Sequence, residues 1–358
     1  MRRRLGAAVT LIAMAVTAGL SGCATTITHN GIGDAQLAQT AVVAGRAGVR
    51  FWGDEVPDDF LSEVKRRLPN MPQLAQGATH TASGRPVVEI LALSGGGGDG
   101  AFGAGLLSGW SKSGLRPEFE VVTGVSAGAI IAPFAYLGPQ YDDDLEEIWT
   151  QYQTSQIATA QILPGLLGGS ALTDSAPLQK LIANYVTPQL LGEIAREYRR
   201  GRMLLVGTTN LDAQRQVVWN MGEIASQGGP HSLKLFRKVI LASAAIPGAF
   251  PPVTIDVRVE SGEKFTEMHV DGGTTRELFV SPISVPFSTF DRFYPTKPIR
   301  RLYIVKNGKV APEQDVIEPS TIQIAARAIS TLIKNQSLGD TYRIYRMAKD
   351  DGAEFNLN

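Results

Sequence analysis

The sequence predicts an α/β fold with a mainly parallel central sheet. Three observations carry that expectation. Short β-branched runs, VVEILALS at 87–94 and EFEVVTGVS at 118–126, each lead into a stretch rich in small helix-compatible residues, GAFGAGLLSGWSKSG and AGAIIAPFAYL. Strand, helix, strand, helix at these lengths is the signature of a parallel sheet covered by helices. Both strands end in glycine-rich turns, at 94–105 and 124–128. The chain is 358 residues long with 44% hydrophobic residues, enough for one large core or two smaller ones.

The N-terminus predicts an export signal. Arg2, Arg3 and Arg4 form a basic start, and the apolar run at 5–20 follows. That run is shorter than the ~20 residues a spanning helix requires. Leu20-Ser21-Gly22-Cys23 then resembles a bacterial lipobox, in which a small residue before the cysteine permits cleavage and the cysteine thiol becomes diacylated. The resemblance implies a signal peptide at 1–22 and a lipid anchor at Cys23. With Ala24 rather than an aspartate after the cysteine, it also implies an outer-membrane site facing the periplasm. Cys23 is the only cysteine, so no disulfide forms within the chain and no cysteine-based metal cluster exists.

Residues 23–86 read as a tether and N-terminal extension, with an Ala-rich helix before residue 50 and a second helix at DDFLSEVKRRL. The main folded unit is expected at 87–310. Within it, DDDLEEIWTQY is an acid-started helix, and SAPLQKLIANYV is a helix opened by Ser175 and a proline. QILPGLLGGSAL supplies apolar loop material suited to a lid, or a packed connection. MLLVGTTNLD and RQVVWNM are strands, SLKLFRKVILAS is a helix, KFTEMHVDGG is a strand ending in a turn, and RRLYIVKNG is the last strand. Pro133 should kink the helix that contains it unless packing absorbs the lost hydrogen bond. Residues 311–358 form a helical segment. Its stripe of Ile322, Ala325, Ala326, Ile329, Leu332, Ile333 and Ile344 is expected to pack on the sheet, with a membrane-lying helix as the alternative. Basic and acidic groups balance at 34 each, which gives no charge signal for nucleic acid.

Ser126 stands in Gly124-Val125-Ser126-Ala127-Gly128, a G-x-S-x-G pattern between a strand and a helix. In that context the serine is a candidate nucleophile; a capping serine in a tight turn fits the same residues. The run SGGGGDGAFGAG, with Gly95, Gly96, Gly97 and Gly98, offers backbone N–H groups as an oxyanion hole. It lacks the Gly-Lys-Ser/Thr ending of a phosphate loop. Gly98 to Gly103 matches G-x-G-x-x-G, yet the acid such a dinucleotide site needs is missing from the end of the second strand.

A base for Ser126 is not found among the four histidines. His29 lies in the tether, His80 in a loop before the core, and His231 in a polar loop; none lies in the C-terminal 89 residues. His269 reads as a strand-surface residue, with orientation of a site as the alternative. A carboxylate is then the candidate, and Asp271 ends a strand before Gly272-Gly273. An ordinary Asx turn is the competing reading of that tripeptide.

The glycine run at 95–100, GVSAG at 124–128 and DGG at 271–273 together resemble the patatin-like phospholipases. ASAAIPGAFPPV and TTNLD add to the resemblance, which covers about 87–310. It implies a three-layer α/β/α fold and a Ser126–Asp271 dyad, with Ser126 as nucleophile, Asp271 as general base and Gly95 to Gly98 as oxyanion loop. It further implies hydrolysis of membrane lipid or lipid-like esters, with no cofactor, no metal and no nucleic-acid partner. The same residues would serve an acyltransferase, and the scaffold alone a lipid-binding envelope protein. Asp99 departs from the family, which often places a cation there; local N–H bonds would let it fix its own loop. Replacing Cys23 with Ala should move the protein from the membrane to the soluble fraction on fractionation; unchanged membrane association would remove the anchor.

Overall fold

The computed structural model describes residues 29–43, 46–55, 84–151, 159–160, 173–281, 285–294 and 296–358. The signal segment, Cys23, the helix expected at 58–68, His80 and the loop at 162–172 lie outside the described residues.

A ten-stranded mixed sheet organises the chain. Its middle is parallel: β4 (Val121–Gly124), β3 (Val87–Leu93), β11 (Ile299–Val305) and β12 (Glu354–Leu357) follow one another outward from β7 (Met203–Asn210). On the other side lie the antiparallel strands β10 (Lys264–Asp271), β9 (Val253–Arg258) and β1 (Val42–Val43). β8 (Arg215–Asn220) folds back on β7 and receives β2 (Arg50–Trp52). The short β5 (Thr159–Ala160) and β6 (Thr173–Asp174) pair separately.

Every residue of β3 is buried, as expected of a parallel strand covered on both faces. Leu91 and Leu93 enter the larger core, while Val88, Ile90 and Ala92 enter the smaller one on the opposite face. The larger core receives α2 (Gly100–Lys112), α3 (Ala127–Leu137), α4 (Asp142–Gln151), α5 (Ala176–Tyr185), α6 (Pro188–Arg199), α7 (Met221–Gln227) and α8 (Gly229–Ser243). The smaller is closed by Leu278, Val280 and Phe287 and by Ile344 and Ala348 of α9 (Thr321–Asp351). The three layers are those the sequence predicts.

Four details differ from expectation. Residues 29–55 do more than tether: after the six-residue α1 (Ala35–Thr40), capped by Asp34, they add β1 and β2 to the sheet. The last strand is β12, not β11; a four-residue edge strand after a long helix is too short to show periodicity. Pro133 sits inside a continuous, almost wholly buried α3. Ser175 makes no side-chain cap; Asp174 Oδ1 accepts from the Ala176 N–H instead, at 2.9 Å.

The register on β7 sets the site. β8 occupies one edge of β7 from Leu205 to Asn210, so β4 and β10 share the other. β4 pairs as far as Gly124 opposite Val206; β10 arrives from the other direction and ends with Asp271 opposite Thr208. The two strand ends meet head to head. Close packing holds α3 there: a Cβ on Gly128 would meet the carbonyl oxygens of Leu93 and Ser94, and one on Gly124 would meet the carbonyl of Gly128. Gly128→Ala should therefore lower the stability measured by denaturant unfolding by about 1–3 kcal/mol, the usual range for overpacking. An unchanged midpoint would contradict this packing.

Candidate active site

Ser126 occupies the turn between β4 and α3 with φ 55° and ψ −121°. Among the described residues only Gln214 shares a positive φ without being glycine. A side-chain-bearing residue in this region is strained, and such strain gathers at functional sites. The turn is held by Ser243 of α8. Its Oγ accepts the Ser126 N–H at 2.9 Å and donates to the Gly207 carbonyl of β7 at 2.7 Å.

Asp271 is 2% exposed. Its backbone N–H donates to the Ala245 carbonyl at 2.9 Å, and its carbonyl accepts from Thr209 Oγ1 at 3.0 Å. Oδ1 accepts the Gly273 N–H at 2.7 Å, while Oδ2 is buried without a hydrogen-bond partner among the described residues. Burial pushes the carboxyl up to about 7; the neighbouring Ser126 hydroxyl and the Gly273 N–H only partly offset it. The serine is thus near enough to act on the carboxyl, although no regular hydrogen bond closes between them. Such pairs commonly tighten only when substrate binds.

The glycine loop lies across from this pair. Gly96 and Gly97 have φ of +147° and +55°, and both face the cavity. A Cβ on Gly95 would stand 2.9 Å from Ser126 Cβ. Gly98 lies in the short helical turn Gly97–Asp99, outside the cavity lining. Asn307 pins the loop: its Oδ1 accepts the Gly103 N–H at 3.0 Å, its Nδ2 donates to the Ser94 carbonyl at 2.6 Å, and its N–H donates to Ser94 Oγ at 2.9 Å. Asp99 makes no capping bond at the start of α2, contrary to the expectation that it fixes its own loop.

Ser126, Asp271, Gly96 and Gly97 line a cavity of about 630 Å³. Its far wall is the first half of α9, through Ile322, Ala325, Ala326, Ile329 and Ile333. This corrects the expected packing: only from Ser337 onward does α9 bury residues, with Ile344 reaching the core as expected. Leu332 is exposed and does not line the cavity.

No histidine reaches the cavity among the described residues. His29 pairs with Asp212 and His231 is exposed on α8. His269 is not a surface residue: it is fully buried, with Nδ1 bonded to Thr208 Oγ1 at 2.9 Å and Nε2 to Glu267 at 3.1 Å. Both ring nitrogens are engaged away from Ser126.

A patatin-like phospholipase family model matches residues 91–284, more than half of the chain. The chain belongs to the patatin-like phospholipase family. Solved structures similar to this patatin-like chain include human GIVD cytosolic phospholipase A2 (12% identity, 79% of this chain and 51% of that chain, TM-score 0.39). VipD from Legionella pneumophila is 14% identical over 70% of this chain and 55% of that one, with a TM-score of 0.35. A chain of the SpcU–ExoU complex from Pseudomonas aeruginosa is 14% identical over 74% and 53%, with a TM-score of 0.28. The patatin-like chain spans about half the length of each. No curated protein matches it by sequence.

Ser243 and Ser94 lie inside stretches quoted from the sequence, ASAAIPGAFPPV and SGGGGDGAFGAG, and Asn307 in RRLYIVKNG, but the sequence assigned none of them a role. Ser243→Ala would orphan the buried Ser126 N–H. It should lower stability by about 1–3 kcal/mol and slow any reaction at Ser126, read by unfolding and by labelling of the serine. Wild-type values for both would show that the turn does not depend on Ser243.

Proposed function

We propose that this chain is a serine acyl hydrolase of the phospholipase A or lipase type, with Ser126 as nucleophile and Asp271 as its general base. The observation that carries the reading is the strained Ser126 beside a buried, partly unpartnered carboxyl, both opening on a cavity with an apolar wall. Asp271 takes the proton as Ser126 Oγ attacks the ester carbonyl. The oxyanion is received by N–H groups of the glycine loop at Gly96 and Gly97, aided by the N-terminus of α3. The proton passes from Asp271 to the departing alcohol. Asp271 then deprotonates water, which attacks the acyl-serine; as the fatty acid leaves, Asp271 returns that proton to Ser126 Oγ. The apolar face of α9 takes the acyl chain.

A carboxylate is normally too weak a base for this work. Burial lifts Asp271 to about 7, close to the pH at which it must accept and return a proton. Cys23, in this proposal, holds the enzyme on the envelope membrane beside its substrate, with the acyl chains of the anchor supplying affinity.

The test is labelling with a fluorophosphonate probe, followed by hydrolysis of short-chain esters and phospholipid vesicles. Wild type should label, and Ser126→Ala should not. Asp271→Asn should lose hydrolysis by about 10²-fold or more, the low end of general-base contributions. Because the carboxyl acts only when ionised, wild-type kcat/KM should rise with pH through about 7. Equal labelling of Ser126→Ala, or full activity of Asp271→Asn, would overturn the dyad.

A further inference from the structure

A second carboxyl shares the cavity. Glu277 lies six residues beyond Asp271, is 7% exposed, and lines the cavity with Ser126 and Asp271. Its backbone N–H donates to Asp340 Oδ2 of α9 at 2.8 Å, so the segment is fixed from below. Its side chain is seated between the two turns of the site. A Cβ on Gly95 would lie 2.6 Å from Glu277 Oε1, and a Cβ on Gly273 would collide with Oε2. The carboxyl therefore packs on the glycine loop with one oxygen and on the aspartate turn with the other. No described group hydrogen-bonds to it.

We propose that Glu277 is a positioning residue whose proton keeps the site active. Neutral, it spaces the glycine loop from the aspartate turn and leaves the negative charge on Asp271 alone. Ionised, it places a second negative charge beside the base and beside the position where the oxyanion develops. Beside the base, that charge raises the proton affinity of Asp271; beside the oxyanion, it opposes the negative charge that develops in acyl transfer, and this second effect is the one that quenches the site. The proposal rests on the Ser126–Asp271 reading.

Burial pushes both carboxyls up, and the Asp271 charge adds to the rise at Glu277. Lys306, after β11, favours ionised Glu277, and Asp340 of α9 opposes it. Lys306 is itself buried, donates to Ser337 Oγ at 2.7 Å, and is held down by burial and by Lys334 of α9. Asp99, Lys309 and Glu313 are the exposed charges of the cavity lining; Glu313 pairs with both Lys309 and Lys334. Two interacting carboxyls titrate in two macroscopic steps, the first creating the base and the second quenching the site.

The experiment is the rate of fluorophosphonate labelling of the detergent-solubilised full chain from about pH 5 to about pH 10, for wild type, Glu277→Gln and Lys306→Met. Wild type should give a narrow bell, rising near 7 and falling near 8. Glu277→Gln, neutral at every pH and close in shape, should keep the rising limb and lose the falling one. About one pH unit above the falling limb it should label about tenfold faster than wild type. A purely structural role would leave the falling limb in place. Lys306→Met removes a charge that favours the ionised carboxyl and should move that limb to higher pH, which keeps the test open if Glu277→Gln does not fold. A wild-type rate that reaches a plateau without falling overturns the proposal. So does a falling limb retained in Glu277→Gln, or one unmoved in Lys306→Met. Failure of the dyad itself is recognised separately, by labelling that does not depend on Ser126 or does not rise with pH.

Discussion

The site depends on one edge of β7 being divided between two strands. β4 pairs with the first half of that edge and stops at Gly124. β10 pairs with the second half, runs the opposite way, and stops at Asp271. Only Gly207 lies between their partners on β7, Val206 and Thr208. Two residues 145 positions apart in the chain are thereby brought to neighbouring strand ends by hydrogen-bond register. Backbone ladders locate strand ends more rigidly than loops locate side chains, which suits a site that must hold its geometry to a fraction of an ångström. Gly207 is also where Ser243 ties the serine turn to the sheet, through its carbonyl.

What was legible in the sequence follows from range. Ser126 and Asp271 stood out as candidates because each sits in a local turn marked by glycines. Gly124 and Gly128 permit an approach of backbone to backbone that no side chain would allow. The parallel core was legible because β3 and β4 are short apolar runs between glycine turns. Ser243 and Asn307 were not legible, since their roles exist only across distances of 117 and 213 residues. His269 was misread for a related reason. Alternation assigns a face to a strand residue, but β7 and β8 cover that face and bring Thr208 and Trp219 against the ring.

The stripe on α9 shows the limit of periodicity most clearly. Apart from the exposed Leu332, its residues lie on one side, as the spacing requires. A period tells which residues share a face and says nothing about what covers it. From Ser337 onward the face meets the sheet and α9 binds the chain after Asp271, with Asp340 accepting the N–H groups of Glu277 and Leu278. Before Ser337 the same stripe meets the cavity. One continuous helix thus bears on both the apolar wall and the placement of Glu277, so a shift of its second half would be felt at both.

The electrostatic character of the site comes from exclusion of water more than from any partner charge. Asp271 has one backbone donor and a hydroxyl beside it, with no cation among the groups acting on it. A salt-bridged aspartate in that place would be held low and would be a poor base. The basic groups of the region are directed elsewhere: Lys306 to Ser337, and Lys309 and Lys334 to Glu313. Keeping cations off Asp271 preserves its raised pKa, and keeping Glu277 neutral avoids a second charge in the same unshielded space. In the proposed mechanism, the buried Asp271 carboxyl takes the place of a histidine as the group that changes protonation state near neutrality.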